Sequence, residues 1–294
     1  MTEFTCNVCG GKNQTAERTL DREQSTCSSC GSNVRTRGLL QALSSELFGV
    51  SLTLPDFPRV KSLRGLGTSD DNTYASRLTE KLDYRNTFFD REPRFNLCDP
   101  AGLEARAYDF IISSEVFEHV PPPVDNAFAN IFRLLKPGGV LVFTVPYNLE
   151  GSMHEHFPDL HEYAFAEVGG KTILVNRTRT GEVQTFDNLI FHLSSGQPSL
   201  EMREFSEDAL KAALTKAGFS NIRIYSATYL PFGIIRSEEC SLPIAARKGT
   251  FSFSLDATRE IAEEWRALQQ KHTADMSRLC RSFWFRLGRK LRLF

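Results

Sequence analysis

Cys6-Asn-Val-Cys9-Gly10 and Cys27-Ser-Ser-Cys30-Gly31 place two Cys-x2-Cys pairs seventeen residues apart. Four thiolates at that spacing suit a tetrahedral metal centre, and zinc is the ion that such a closed all-sulfur site selects. The glycine after each pair permits a tight turn that aims backbone amides at the sulfurs. A redox dithiol and an iron–sulfur centre are the rival readings. A stretch of about thirty residues with so little apolar content needs the metal for its folding energy. The first module is therefore read as a structural zinc ribbon over residues 1–36, with Cys6, Cys9, Cys27 and Cys30 as ligands.

The second concentration of chemistry is made of carboxylates and imidazoles. Asp99 ends the run FNLCDP, and Glu115 and Glu118 follow the run DFIISS. Three of the six histidines, His154, His156 and His161, fall within eight residues. Imidazole takes a proton from a hydroxyl near neutral pH, so one of the three is the expected general base for chemistry on oxygen. A second metal is a weaker reading, because HEH lacks the HExxH spacing and Pro158 breaks any helix that would align the side chains.

The elements that would position these groups are legible from periodicity. Phe95–Leu97, Phe110–Ser113 and Val140–Val145 are short apolar runs that read as buried parallel strands. Val124, Phe128, Ile131 and Leu135 recur on one helical face, and Lys136-Pro137-Gly138-Gly139 supplies a cation, a helix breaker and a left-handed exit. Strand, helix and strand in that order need a right-handed crossover, which predicts an α/β, doubly wound sheet with its ligand beyond the carboxyl ends of the strands. Leu39, Leu40, Leu43, Leu47 and Phe48 predict a helix before the sheet. Residues 171–191, with Lys171–Arg177 and Val183–Phe186 as strands, read as a hairpin inserted in the sheet, Ser206–Gly218 as a capped helix, and Phe219–Ser226 with Cys240–Arg247 as an antiparallel pair.

Composition restricts the function classes. The chain has 294 residues, 35 Lys and Arg against 36 Asp and Glu, 41% hydrophobic residues and seven cysteines. No run of eighteen apolar residues exists to span a bilayer, and the N-terminus lacks the pattern of a secretory signal. An odd cysteine count with four in pairs suits a reducing cytosol. The expected location is cytoplasmic.

YDFIISSEVFEHV followed by LLKPGGVLVFTVP resembles the core of class I S-adenosylmethionine-dependent methyltransferases, nearest the type-11 branch with its (F/Y)D-x-(I/V)…LEHV…L(K/R)PGG pattern. FSEDALKAALTKAGFSNIRIY and LPIAARK resemble the last helix and the final strands of the same enzymes. The resemblance implies a Rossmann-like methyltransferase domain over residues 37–250, S-adenosylmethionine as cofactor, and site residues. Val60–Ser69 stands where such enzymes carry an apolar strand and then GxGxG. Here Gly65 and Gly67 are present, the third glycine is Ser69, and the acidic residue of the strand is missing. Asn86 or Asp90 falls where the ribose would be held, with Asn86 preferred. Asp99 corresponds to the acid that accepts from the adenine amino group, and Ser114 and Glu115 border the methionine portion. The ribbon, the core and the HEHFPDLHEY and LEMREF segments together resemble bacterial zinc-ribbon methyltransferases found with glycan and cell-surface biosynthesis enzymes, so the expected acceptor is a small molecule or a glycan methylated on oxygen.

Two alternatives stand beside that reading. An RNA methyltransferase would grip phosphate through the ribbon and a basic tail. Six of the 35 basic residues lie at or beyond Arg278, however, leaving 29 against 36 acids before it. That net −7 gives no broad positive footprint, which argues against nucleic acid. The incomplete glycine pattern motivates the other alternative, a non-catalytic scaffold. In the extension 251–294, Ile261, Trp265, Leu268 and His272 share one helical face. In the tail, residues 276–294, apolar side chains gather on about 140° of arc opposite the basic ones. Such a helix can dock on protein, lie on the inner face of a membrane as a peripheral contact, or bind nucleic acid.

Overall fold

A computed structural model describes residues 1–194, 197–236 and 240–281. It opens with the antiparallel hairpin β1 (Thr2–Thr5) and β2 (Lys12–Thr15), then reaches α1 (Val34–Phe48). Asn33 caps α1 by accepting from the Thr36 amide at 2.8 Å, and Gly49 ends it in the left-handed conformation at φ 73°. The sheet elements follow in order: β3 (Val60–Thr68), α2 (Asn72–Lys81), β4 (Leu82–Thr87), β5 (Tyr108–Ser114), α3 (Asp125–Leu134) and β6 (Leu135–Thr144). Short strands β7 (Tyr147–Asn148), β8 (His154–Glu155), β9 (Glu162–Val168), β10 (Lys171–Arg177), β11 (Val183–Phe186), β12 (Phe191–Ser194), β13 (Gln197–Leu200) and β14 (Arg203–Ser206) form an excursion. The chain returns through α4 (Glu207–Ala217), β15 (Ser220–Ile224), β16 (Ile244–Arg247) and α5 (Leu255–Arg281).

The central sheet has six strands in the order β15-β16-β6-β5-β3-β4. β4, β3, β5 and β6 run parallel, and β16 runs antiparallel to both its neighbours, β6 and β15. Alternation along the buried strands divides the core in two. Phe110, Ile112, Val140 and Val142 meet residues of α1, α2 and α5, whereas Ile111, Leu141 and Phe143 meet α3 and α4. Both faces are covered, as a doubly wound sheet requires. The ribbon shares the first of these cores, since Phe4, Val8 and Leu20 pack in the cluster that holds Leu39, Leu43 and Leu63.

Three expectations need correction. Phe95–Leu97 is not a strand. Its apolar side chains are buried, but Asn96 accepts from the Cys98 amide at 2.9 Å, a local turn that competes with ladder pairing. The hairpin at 171–186 is not inserted in the central sheet: β9, β10 and β11 make a separate three-stranded sheet. Of its strands only Leu174 and Asn176 are fully buried, the one-sided burial of an antiparallel sheet with a solvated face. The cation of the KPGG turn does not cap α3. Lys136 instead pairs with Asp109 at 2.6 Å, and Lys248 donates to the carbonyls of Phe132 and Leu135 at 2.6 and 2.8 Å. The expected left-handed exit is Gly138, at φ 80°, where an added Cβ would lie 2.4 Å from the Thr250 carbonyl.

The apolar face of α5 is engaged only at its start. Ala257 is buried and Ile261 partly so, while Trp265 and Leu268 are 59% and 65% exposed. The tail beyond Arg281 lies outside the described residues, and no helix among them is long and apolar enough to cross a membrane.

Candidate active site

β3 lies between β4 and β5, and the crossovers from β3 and from β5 lead in opposite directions along the sheet, which opens a crevice at their carboxyl ends. Both strands end in a left-handed residue other than glycine, Ser69 at φ 60° and Glu115 at φ 55°. Such backbone persists only where its surroundings over-determine it. The Ser69 amide donates to the Thr87 carbonyl at 2.6 Å and the Glu115 amide to the Thr144 carbonyl at 3.0 Å, so neighbouring strands hold both turns.

Two cavities meet at these turns, with Ser69, Glu115 and His119 in the walls of both. The larger, 560 Å³, is polar and carries both signs of charge: Arg22 and Arg35 against Glu23, Asp71, Glu115 and Glu118. The smaller, 270 Å³, is lined by Phe88, Phe89, Phe95, Leu97, Val116 and Phe165, with the polar edge of Asn96. A bipolar chamber joined to an aromatic slot can seat an amino-acid zwitterion attached to a flat heterocycle.

The arginines of the chamber come from the ribbon and from the helix that follows it. Arg22, between the two cysteine pairs, donates to Glu115 at 2.7 Å and to the Ser241 carbonyl at 3.1 Å. Arg35, in the first turn of α1, donates to Ser114 Oγ at 2.5 Å and to Glu23 at 2.8 Å. The opening turn of α1 is therefore part of the chamber wall. Arg37 is fully buried. Its guanidinium donates to the Ser32 carbonyl, Thr26 Oγ1 and the Gly233 carbonyl and lies 4.8 Å from the Phe4 ring centroid. Burial lowers its pKa, opposed by the nearby thiols of Cys6, Cys27 and Cys30.

Those thiols converge as predicted. One Sγ from each of Cys6, Cys9, Cys27 and Cys30 lies within 4.8 Å of the other three. The Cys6–Cys30 and Cys9–Cys27 separations are 3.7 and 3.6 Å, far beyond a disulfide and close to the roughly 3.8 Å edge of a tetrahedron with 2.3 Å zinc–sulfur bonds. The Gly11 amide and Asn13 Nδ2 donate to Cys9 and Cys27 sulfurs at 3.4 and 3.5 Å. The donor set fits a four-thiolate metal centre.

On the far wall of the chamber stand groups from the EHV turn after β5 and from β12. Glu118 is 1% exposed, and neither carboxylate oxygen has a hydrogen-bond partner among the described residues. Burial, reinforced by Glu115, pushes its carboxyl well above the usual range. His119 Nδ1 lies 2.9 Å from the Leu200 carbonyl, and burial pushes the ring's pKa down. His192 Nε2 is 3.0 Å from Glu201, whose other oxygen is 3.0 Å from His156 Nε2. Buried Arg203 fixes the excursion here, reaching Glu155 and the Phe117 carbonyl at 2.7 Å each.

A family model described as a methyltransferase domain matches residues 67–224, more than half of the chain. The chain belongs to that family. It is a methyltransferase, not a bare scaffold. No protein of curated function matches its sequence. Among solved structures, the methyltransferase is similar to the 1,6-didemethyltoxoflavin N1-methyltransferase of Burkholderia thailandensis, at 15% identity over 71% of this chain and 76% of that one, TM-score 0.39. It is also similar to the sugar N-methyltransferase KedS8 of a Streptoalloteichus species, at 13% identity over 71% and 85%, TM-score 0.40. The amino pentose methyltransferase CalS10 of Micromonospora echinaspora aligns at 13% identity over 74% and 92%, TM-score 0.40. The assignment rests on the family match, not on these partial likenesses.

Of the cofactor residues expected from sequence, Ser114 and Glu115 line the chamber. The others lie elsewhere. Gly65 and Gly67 are inside β3 instead of in a loop, and neither borders the cavities. They make room for side chains: a Cβ would sit 2.1 Å from the Phe110 ring at position 65 and 1.9 Å from the Tyr84 hydroxyl at position 67. Asn86 clamps the turn after β3, accepting from the Asp70 amide at 3.0 Å and donating to the Asp70 carbonyl at 2.8 Å. Asp99 is exposed outside both cavities and accepts from the Ala101 amide, while Asn96 lines the slot. The three expected histidines also miss the chamber. His154 is exposed in β8, His156 is bound to Glu201, and exposed His161 donates its amide to Asn176 at 2.8 Å. The imidazoles that line the chamber are those of His119 and His192. His119 was visible in the EHV motif, but nothing local in sequence points to His192.

Asp70 supplies a pH signature of the turn. Tyr74 and Tyr84 donate their hydroxyls to its two oxygens, and burial against that pull raises its carboxyl to about 7 from 3.8. Between those values the folded chain holds a proton that the unfolded chain has released, so this group makes stability fall as pH rises from about 4 to about 7 and leaves it flat above. Asp70→Asn is expected to remove that loss, with a higher urea midpoint than the parent at pH 8 and a similar one at pH 4. Parallel pH profiles for the two proteins would refute the assignment.

Proposed function

We propose that this methyltransferase uses S-adenosylmethionine and methylates an oxygen of a small hydroxylated molecule or glycan precursor, with a structural zinc ion in the four-thiolate centre. The observation that carries the reading is the pair of joined cavities at the ends of β3 and β5, one aromatic and one bipolar. The adenine would lie in the slot against Phe95, Leu97 and Val116, with Asn96 at its polar edge. The amino-acid end would meet Arg22 and Arg35 for its carboxylate and Glu115 for its ammonium group. The bound cofactor supplies an activated methyl carbon, open to in-line displacement. The protein's part is proximity and orientation. Glu118, His119 and His192 face the same chamber and are the groups available to receive an acceptor hydroxyl and its proton.

Titration with S-adenosylhomocysteine by calorimetry tests the cofactor assignment. Asn96→Ala is expected to weaken binding about tenfold, in keeping with one lost polar contact and altered slot packing, while Asp99→Ala stays within about twofold. Absence of any saturable heat in the parent protein would end the reading. The reverse order of the two variants would return the adenine contact to Asp99.

A further inference from the structure

We propose that Glu118, His119 and His192 form a second metal site, separate from the four-cysteine centre, that takes a borderline divalent transition-metal cation on the chamber wall. The inference deepens the reading above, because a cation there would present an acceptor oxygen to the cofactor side of the same cavity.

Three observations carry it. One ligand atom from each residue lies within 4.8 Å of the other two, and His119 Nε2 is 3.7 Å from Glu118 Oε1. The 3.7 Å separation is too long for a hydrogen bond and suits two atoms sharing one ion at about 2.0–2.2 Å each. Secondly, Glu118 is a buried carboxylate, 1% exposed, with both oxygens unpartnered among the described residues while it borders the chamber. A buried carboxyl in that condition either keeps its proton or is met by a cation. Thirdly, each imidazole has one nitrogen engaged, so that its tautomer is set. His119 Nδ1 lies 2.9 Å from the Leu200 carbonyl, which fixes the proton on Nδ1 and leaves the Nε2 lone pair free. His192 Nε2 lies 3.0 Å from Glu201 Oε2, which leaves Nδ1. A carbonyl or carboxylate behind each ligating imidazole is how protein metal sites set tautomer and ring orientation.

The donor set selects the ion. Two imidazoles and one carboxylate suit Zn²⁺, Fe²⁺, Co²⁺ or Mn²⁺ better than Mg²⁺ or Ca²⁺, which seek oxygen. Three protein ligands on one wall leave positions open toward the chamber, as in sites that bind a substrate oxygen and unlike the closed thiolate centre. Acceptors with adjacent oxygens, such as a vicinal diol or a hydroxy-carbonyl, are the class such a face would hold.

The protein with all 294 residues, stripped by chelator and equilibrated with Co²⁺, gives two separable signals. Cobalt on four thiolates shows intense sulfur-to-metal charge transfer, whereas a nitrogen–oxygen site shows only weak visible bands. The parent is expected to retain two cobalt ions per chain after desalting. His192→Ala and the near-isosteric Glu118→Gln should each retain one, with the charge-transfer band intact as proof that the ribbon and fold survive. One ion per chain in parent and variants alike would overturn the proposal, as would two in all three. Titration of the same samples with S-adenosylhomocysteine scores the cofactor reading separately. Binding in the parent without a second ion defeats this inference alone, and a second ion without nucleoside binding defeats the cofactor reading alone.

Discussion

Cys27→Ser is expected to lower the affinity for S-adenosylhomocysteine by at least about a hundredfold, although no cysteine borders the cavities. The reason is where the ribbon puts its arginines. Arg22 is carried between the two cysteine pairs and reaches Glu115 at 2.7 Å, and its carbonyl accepts from the Arg35 amide at 3.0 Å. Ser25, Gly31, Ser32 and Asn33 complete that wall. On the proposed zinc assignment, a four-thiolate centre contributes on the order of 10 kcal/mol to the fold of this segment, so breaking it is expected to release the wall. Each charge-assisted hydrogen bond lost to a bound carboxylate is worth about 1.5–3 kcal/mol, and with both arginines displaced the loss exceeds two orders of magnitude. Arg22→Ala serves as the intermediate case. It should cost about tenfold in affinity while leaving the metal content of the thiolate centre unchanged. A Cys27→Ser protein that loses its metal yet binds the nucleoside normally would show that the ribbon is a bystander to the cofactor.

The second large effect is on folding. Gly67→Ala is expected to destabilise the protein by about 3 kcal/mol or more, because overpacking a close-packed core costs about 1–3 kcal/mol and here it also disrupts a buried polar cluster. The added Cβ would stand 1.9 Å from the Tyr84 hydroxyl and 2.4 Å from Asp70 Oδ2, two groups already hydrogen-bonded to each other. Tyr84 is 5% exposed and Asp70 4%, so neither can swing into solvent. For a chain of this size the midpoint of thermal unfolding should drop by roughly 6–12 °C. Adding Tyr84→Phe, which deletes the closest atom, should recover part of the loss, a coupling that a double-mutant cycle reads directly. If Gly67→Ala unfolds like the parent but binds S-adenosylhomocysteine poorly, the glycine serves the cofactor and not the packing.

These two expectations show how the sequence and the fold divide the explanation. The four cysteines were legible because the metal chemistry depends on residue type and spacing alone. The doubly wound sheet was legible from apolar runs punctuated by Pro and Gly, and the place of Ser114 and Glu115 in the chamber wall followed from their position at the end of β5. Periodicity reports which face of a strand or helix is buried, and strand order then limits where a ligand can sit.

What local pattern does not encode is which distant side chains share a cavity. Arg35 and Arg37 stand two residues apart on one helix, yet the first enters the chamber and the second is sealed beneath the ribbon, because α1 is buried between ribbon and sheet. Asn96 borders the slot and Asp99 does not, three residues apart across a turn in which Asn96 accepts from the Cys98 amide at 2.9 Å. The histidine-rich loop drew attention by composition, but its groups face Glu201, Asn176 and solvent. The excursion folds back onto the EHV turn through Arg203, and that is what carries His192 to within a ring contact of His119, 5.5 Å between centroids. Spacing along the chain determined the thiolate centre and the sheet. Long-range packing, which brings together residues far apart in sequence at a buried surface, decided the chamber.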